Sequence, residues 1–151
     1  MLPEQIHLVI VGRHTEYTDK IERFIKENKL EERVHIISNV PFDDLPTFYQ
    51  LAEIFVYPSR FEGFGIPIIE ALYSGIPVVA ATGSCLEEAG GPDSIYVHPD
   101  DIKGMANAFK QIYSDTERKK EMIEKGQKFA KRFSEEKQAE EILNIYKKLM
   151  K

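Results

Sequence analysis

The chain has 151 residues, 42% of them hydrophobic and 30% charged, and its 20 Lys and Arg against 25 Asp and Glu give a formal net charge of −5. That length holds one ordinary domain with enough apolar content to fill a core, which excludes a disordered chain, and the acidic balance argues against chain-wide attraction to nucleic acid or anionic lipid. One cysteine makes neither an internal disulfide nor a cysteine-based metal site. No apolar run approaches the ~20 residues of a spanning helix and the N-terminus lacks a signal-peptide layout, so a cytoplasmic protein is expected.

Residues 6–11 (I-H-L-V-I-V), closed by Gly12, form an almost unbroken apolar run of the kind that suits a strand buried on both faces of a parallel sheet. Residues 16–29 carry Ile21, Phe24 and Ile25 on one stripe, an amphipathic helix. Strand character returns at 33–37, and Asp43 or Asp44 is placed to cap a short helix ending at Leu51, with Pro46 in its first turn. A third strand at 54–57 is stopped by Pro58. Residues 66–74 read as a helix with Pro67 near its start and Gly75 just past its end. A strand at 77–81, a short helix at 84–89 ended by Gly90-Gly91, and a strand at 95–98 follow. The remainder is helical: an apolar stripe of Ile102, Met105, Ala106, Phe109, Ile112 and Tyr113, then two charged helices at 116–131 and 134–149.

Strands alternating with helices predict a single α/β domain over residues 1–151, a doubly wound parallel sheet with right-handed crossovers and a helical C-terminal tail. Ligands of such sheets sit outside the carboxyl ends of the strands, which directs attention to the loops after Val11, Ile37, Tyr57 and Ala81.

The loop after the third strand holds the richest chemistry: Pro58-Ser59-Arg60-Phe61-Glu62-Gly63-Phe64-Gly65-Ile66-Pro67, with Glu70 in the helix beyond. Glycines let backbone N–H groups approach a ligand, and the helix N-terminus presents further N–H groups and the positive end of its dipole to phosphate. Pro67 removes one donor, so the amides of Gly65 and Ile66 carry more of that role. Carboxylates only accept, and Glu62 with Glu70 therefore suits a ligand rich in hydroxyl donors, such as a sugar or a ribose. The bland alternative is a tight connection with Phe64 in the core and two glutamates paired by chance.

Pro58-Ser59, Glu62-Gly63-Phe64-Gly65, Pro67, Glu70-Ala71 and Gly75-Ile76-Pro77-Val78-Val79-Ala80 together resemble the donor-binding domain of retaining GT-B glycosyltransferases, particularly glycosyltransferase family 4 with its E-x7-E signature. The likeness continues through Val34 to Val40, Leu86-Glu87-Glu88, Val97 to Pro99 and Tyr146. It implies a Rossmann-like half of a hexosyltransferase-type enzyme of polysaccharide biosynthesis. Such an enzyme transfers sugar from a nucleotide sugar, a UDP- or GDP-sugar for instance, to a glycan or lipid-linked acceptor. By the same resemblance Glu62 is the candidate catalytic residue, holding a donor-sugar hydroxyl. Gly63, Phe64 and Gly65 meet the sugar through their amides, Gly65 and Ile66 meet the diphosphate, Glu70 binds the ribose diol, and Val40 lies against the nucleobase. The family works without a bound metal or other cofactor, and the charge developing on the diphosphate then falls to protein donors.

The sequence departs from the family where Ser38 replaces a usual glycine and where Arg13-His14 follows Gly12 in place of an acid. The family's first βα unit, whose strand is central in its sheet and precedes a diphosphate-clamping Arg and Lys, has no counterpart here, nor has the acceptor-binding domain. The isolated chain is therefore expected to have negligible transferase activity, with the acceptor reached through the absent domain. Peripheral membrane association is left to the full enzyme.

Elsewhere the signals are weaker. His7, His14, His35 and His98 share no ligand spacing, so no metal site is expected. Cys85 reads as a structural thiol, and the charge runs at 117–132 and 135–151 read as solvated helix faces. One glycine in Gly12-Arg13-His14-Thr15 excludes a G-x-G-x-x-G dinucleotide fingerprint, and no Walker A motif is present. The rival that survives is a non-catalytic nucleotide-binding or interaction module working with a partner chain.

Overall fold

The computed structural model describes residues 3 and 5–150 and divides into two compact units, Met1–Leu45 and Pro46–Lys151. The first unit contains β1 (Leu8–Val11), α1 (Glu16–Glu27) and β2 (Val34–Ile37), with β1 and β2 parallel and Leu8 opposite Val34. Thr15 caps α1 through a capping box with Thr18, and the helix ends two residues earlier than its apolar stripe suggests because Lys29 takes a left-handed φ of 54°. Thr18 and Ile25 are the buried residues of that helix.

β1 departs from expectation. It begins at Leu8, and Leu8, Val9 and Val11 are exposed at 48%, 46% and 39% although the run reads as buried on both faces. The physical reason is arithmetic: among the described residues this sheet has two strands and the unit one complete α-helix, too little structure within the unit to cover both faces.

The second unit is the better-packed one. It contains α2 (Leu45–Leu51, whose first residue closes the first unit), β3 (Phe55–Tyr57), α3 (Ile66–Tyr73), β4 (Val78–Ala81), α4 (Leu86–Gly90), β5 (Ile95–Val97), α5 (Ile102–Ser114), α6 (Thr116–Ala130) and α7 (Glu135–Leu149). Asp43 and Asp44 do not cap α2; they lie in a 3-10 turn, Phe42–Asp44, that precedes it. The sheet is parallel in the order β3-β4-β5, so the described strands form two sheets where the alternation predicted one.

β4 is the centre of the core. It is hydrogen-bonded on both edges and all four of its side chains are fully buried. Val78 and Ala80 pack with Ile68, Ala71 and Leu72 of α3 and Leu86 and Ala89 of α4; Val79 packs with Ala108 and Ile112 of α5 and Met122 of α6. Helices thus cover both faces, the doubly wound, Rossmann-like arrangement the sequence predicts, and the short Val-Ala strand is explained by burial on both sides. Gly75 closes α3 with φ 76°, as its place just past the helix end requires.

Candidate functional site

Three loops leave the carboxyl ends of β3, β4 and β5 and are tied to one another. Arg60, in the β3–α3 loop, grips Asp100 beyond β5 with both guanidinium nitrogens, Nη1 donating to Oδ2 at 3.2 Å, and this holds the Asp100 carboxyl below its ordinary range. Cys85, beyond β4, donates its thiol to the backbone carbonyl of Glu62 at 3.3 Å. Ser59 Oγ donates to the carbonyl of Phe61 at 3.3 Å, folding the loop on itself.

Within this frame Glu62 ends the descent of the loop and Glu70 stands in α3, both partly exposed. Each is held by a tyrosine phenol. Tyr57, the last residue of β3, donates to Glu62 Oε1 at 2.8 Å, and Tyr49 of α2 donates to Glu70 Oε2 at 2.8 Å. Burial first, and then the hydrogen bond to Glu62, push the Tyr57 phenol up to about 12. Burial and Glu70 act in the same direction on Tyr49. Both phenols stay protonated, and so remain donors, across the physiological range.

Between the carboxylates runs the Gly63–Gly65 turn. Gly65 is the N-cap of α3 at φ 100°, a left-handed conformation, and a Cβ there would meet Leu86 Cδ2 at 2.9 Å. Gly63 is the opposite case: nothing lies within 4 Å of where its Cβ would be. The open side of the loop is therefore at Gly63. The Ile68 N–H turns back to the Gly65 carbonyl at 2.9 Å, while Ile66, the first helical residue, has an exposed side chain and a backbone N–H without an acceptor among the described residues. The ring of Phe64 packs inward against the α3–β4 core and edge-on to Phe133 at 5.6 Å, so it is the backbone of Phe64 that is available to a ligand.

The structure thus brings Glu62, Gly63, Phe64, Gly65, Ile66 and Glu70 to one strand-end cluster. Val40 lies in the first unit, three residues beyond β2 and next to Asn39 at φ 60°. His14 Nε2 comes within 3.4 Å of Asp19, and with Glu22 these exposed residues bring three ligand-type atoms within 4.8 Å of one another, a grouping that histidine spacing alone does not show. A separate, solvent-open groove is lined by Glu87, Glu88, Pro92, Tyr96, Phe129 and Arg132. The strand ends carry the chemistry instead, because there the carboxylates, the glycine turn and a helix N-terminus converge. Tyr49 and Tyr57 are the site residues that sequence reasoning missed. No helix among the described residues is long and apolar enough to cross a membrane.

Comparison with known proteins gives this cluster a context. A model of the family "Glycosyl transferases group 1" matches residues 2–129. The chain is 32% identical over 142 residues to an O-antigen chain mannosyltransferase B of Escherichia coli, covering 94% of this chain and 37% of that one. It therefore spans well under half the length of that curated relative. Among solved structures, sucrose-phosphate synthase from Thermosynechococcus elongatus superposes with a TM-score of 0.83 at 27% identity, over 95% of this chain and 38% of the other. Anabaena HepE, solved in complex with UDP, superposes with a TM-score of 0.87 at 23% identity over 97% and 42%, a likeness of fold.

Proposed function

The chain belongs to the glycosyl transferases group 1 family, and from that premise we propose that it is the nucleotide-sugar-binding portion of a retaining, metal-independent, cytoplasmic glycosyltransferase of the family 4 type, acting on a glycan or lipid-linked acceptor. The observation that carries this reading is that Glu62, just before the Gly63–Gly65 turn, and Glu70, in α3 beyond it, are each held by a tyrosine phenol at the carboxyl end of β3. HepE, with the same fold, is known bound to UDP, and the E. coli relative is named a mannosyltransferase; both support a nucleotide-sugar donor.

In this reading the Glu62 carboxylate orients a hydroxyl of the donor sugar, while the amides of Gly63, Phe64 and Gly65 donate to its neighbours. The amides at the start of α3, of Gly65 and Ile66, donate to the diphosphate oxygens and stabilise the charge that grows on them as the glycosidic bond opens. Glu70 accepts from the ribose diol, and Val40 flanks the base. Retention of configuration does not require Glu62 to act as nucleophile: it serves by fixing the sugar, and the departing diphosphate takes the acceptor's proton.

Calorimetric titration of UDP, GDP, UDP-glucose and GDP-mannose into the chain tests the proposal. One nucleotide family binds, and Glu70→Ala weakens it by tenfold or more, the equivalent of at least one charge-assisted hydrogen bond. Absence of binding at millimolar concentration overturns the donor-site reading in favour of a non-catalytic module. Sugar transfer by the 151 residues alone is expected to be negligible; measurable turnover would show that the chain needs no further domain.

A further inference from the structure

The two phenols at the carboxylates form one device. Tyr49 meets Phe55 edge-on at 5.4 Å and Phe55 stacks on Tyr57 at 5.8 Å, so α2 and β3 carry a continuous aromatic row with a hydroxyl at each end. Each hydroxyl donates one hydrogen to one oxygen of one glutamate at 2.8 Å. A free carboxylate spins about its terminal bond, and a single fixed donor decides which oxygen faces outward. A phenol is suited to this: it takes up one oxygen without cancelling the charge, whereas a lysine or arginine would neutralise the acceptor and compete for both oxygens.

We infer that Tyr57 and Tyr49 are positioning residues of the donor site, Tyr57 holding Glu62 with Oε2 turned to a hydroxyl of the transferred sugar and Tyr49 holding Glu70 with Oε1 turned to the ribose. The inference rests on the donor-site reading proposed above and assigns each tyrosine to a different part of the same ligand. The division has a measurable consequence. The phenol behind Glu70 affects every ligand that contains the ribose, while the phenol behind Glu62 affects only those that carry the sugar.

The test compares UDP with UDP-glucose and GDP with GDP-mannose by calorimetry on the chain, using the pair that the unmodified chain binds. Tyr49→Phe and Tyr57→Phe keep the rings and the aromatic row, so both variants fold, which thermal unfolding verifies. Tyr49→Phe weakens nucleoside diphosphate and nucleotide sugar alike, by about five- to twentyfold; Tyr57→Phe weakens the nucleotide sugar by a similar factor and leaves the nucleoside diphosphate unchanged. In the Glu70→Ala background Tyr49→Phe costs nothing further, and in the Glu62→Ala background neither does Tyr57→Phe, because each phenol acts through its glutamate. Losses that persist in those backgrounds, equal effects of Tyr57→Phe on both ligands, or full affinity in the phenylalanine variants overturn the inference while the site stands. Full affinity in Glu62→Ala and Glu70→Ala, or no binding by the unmodified chain, overturns the site itself and the inference with it.

Discussion

Two glycines two positions apart in the same loop do different jobs, and a methyl group separates them. Gly65 sits at φ 100° with Leu86 Cδ2 and Ala89 Cβ at 2.9 and 3.3 Å from a would-be Cβ, so its lack of a side chain serves the fold. Gly63 has no positive φ and no neighbour within 4 Å among the described residues, so nothing in the fold demands a glycine there, and in the proposed donor site the demand would come from the ligand. Gly65→Ala is expected to cost about 1–3 kcal/mol, from the left-handed backbone and from displacing Leu86. Gly63→Ala unfolds at the same urea concentration as the parent and loses nucleotide-sugar affinity. A Gly63→Ala variant as unstable as Gly65→Ala would return that glycine to a purely structural role.

Among the elements, the Gly63–Gly65 loop depends on a part of the chain far from it in sequence. Phe64 reaches back to Phe133, which lies in the 3-10 turn Lys131–Phe133 after α6, and Phe133 meets Phe129 at 5.8 Å. Because the amides of Gly63 to Gly65 hang on Phe64, this aromatic chain fixes where they point. Phe133→Ala should lower stability by roughly 1–3 kcal/mol and also weaken nucleotide-sugar binding, since the loop loses its backing. Lost stability with full affinity would uncouple the turn from the site. Element by element, much of this was legible: the runs at 54–57 and 77–81 and the Pro67–Gly75 punctuation mark β3, β4 and α3, and Glu62 with Glu70 follow from the loop between. What was not legible is what folding alone brings together. Tyr49 is 21 residues from Glu70, and Tyr57 reads as just another apolar strand residue until its position at the end of β3 points its hydroxyl at Glu62. The Phe64–Phe133 contact is hidden in the same way, because nothing in either local pattern names the partner.

For the molecule as a whole, the two units differ in how well their sheets are protected. In Pro46–Lys151, β4 has a ladder on each side and every side chain fully buried; in Met1–Leu45, β1 has a single ladder and exposes Leu8, Val9 and Val11. A run as apolar as L-V-I-V predicts the burial that β4 enjoys, and β1 lacks it because burial is set by the number of neighbouring elements rather than by the strand's own composition. The hydrophobic contribution scales with area removed from water, so opening the β1–β2 ladder costs far less than opening β4. Native-state hydrogen exchange should therefore show the amides of β1 and β2 exchanging roughly a hundredfold or more faster than those of β4, with the β4 amides exchanging only on global unfolding. Addition of the nucleotide that binds should slow exchange around the Gly63–Gly65 turn and α3, where the ligand is proposed to sit. Equal protection of β1 and β4 would mean that the first unit's sheet draws stability from a source other than its own packing, and the division into a firm unit and a yielding one would fail.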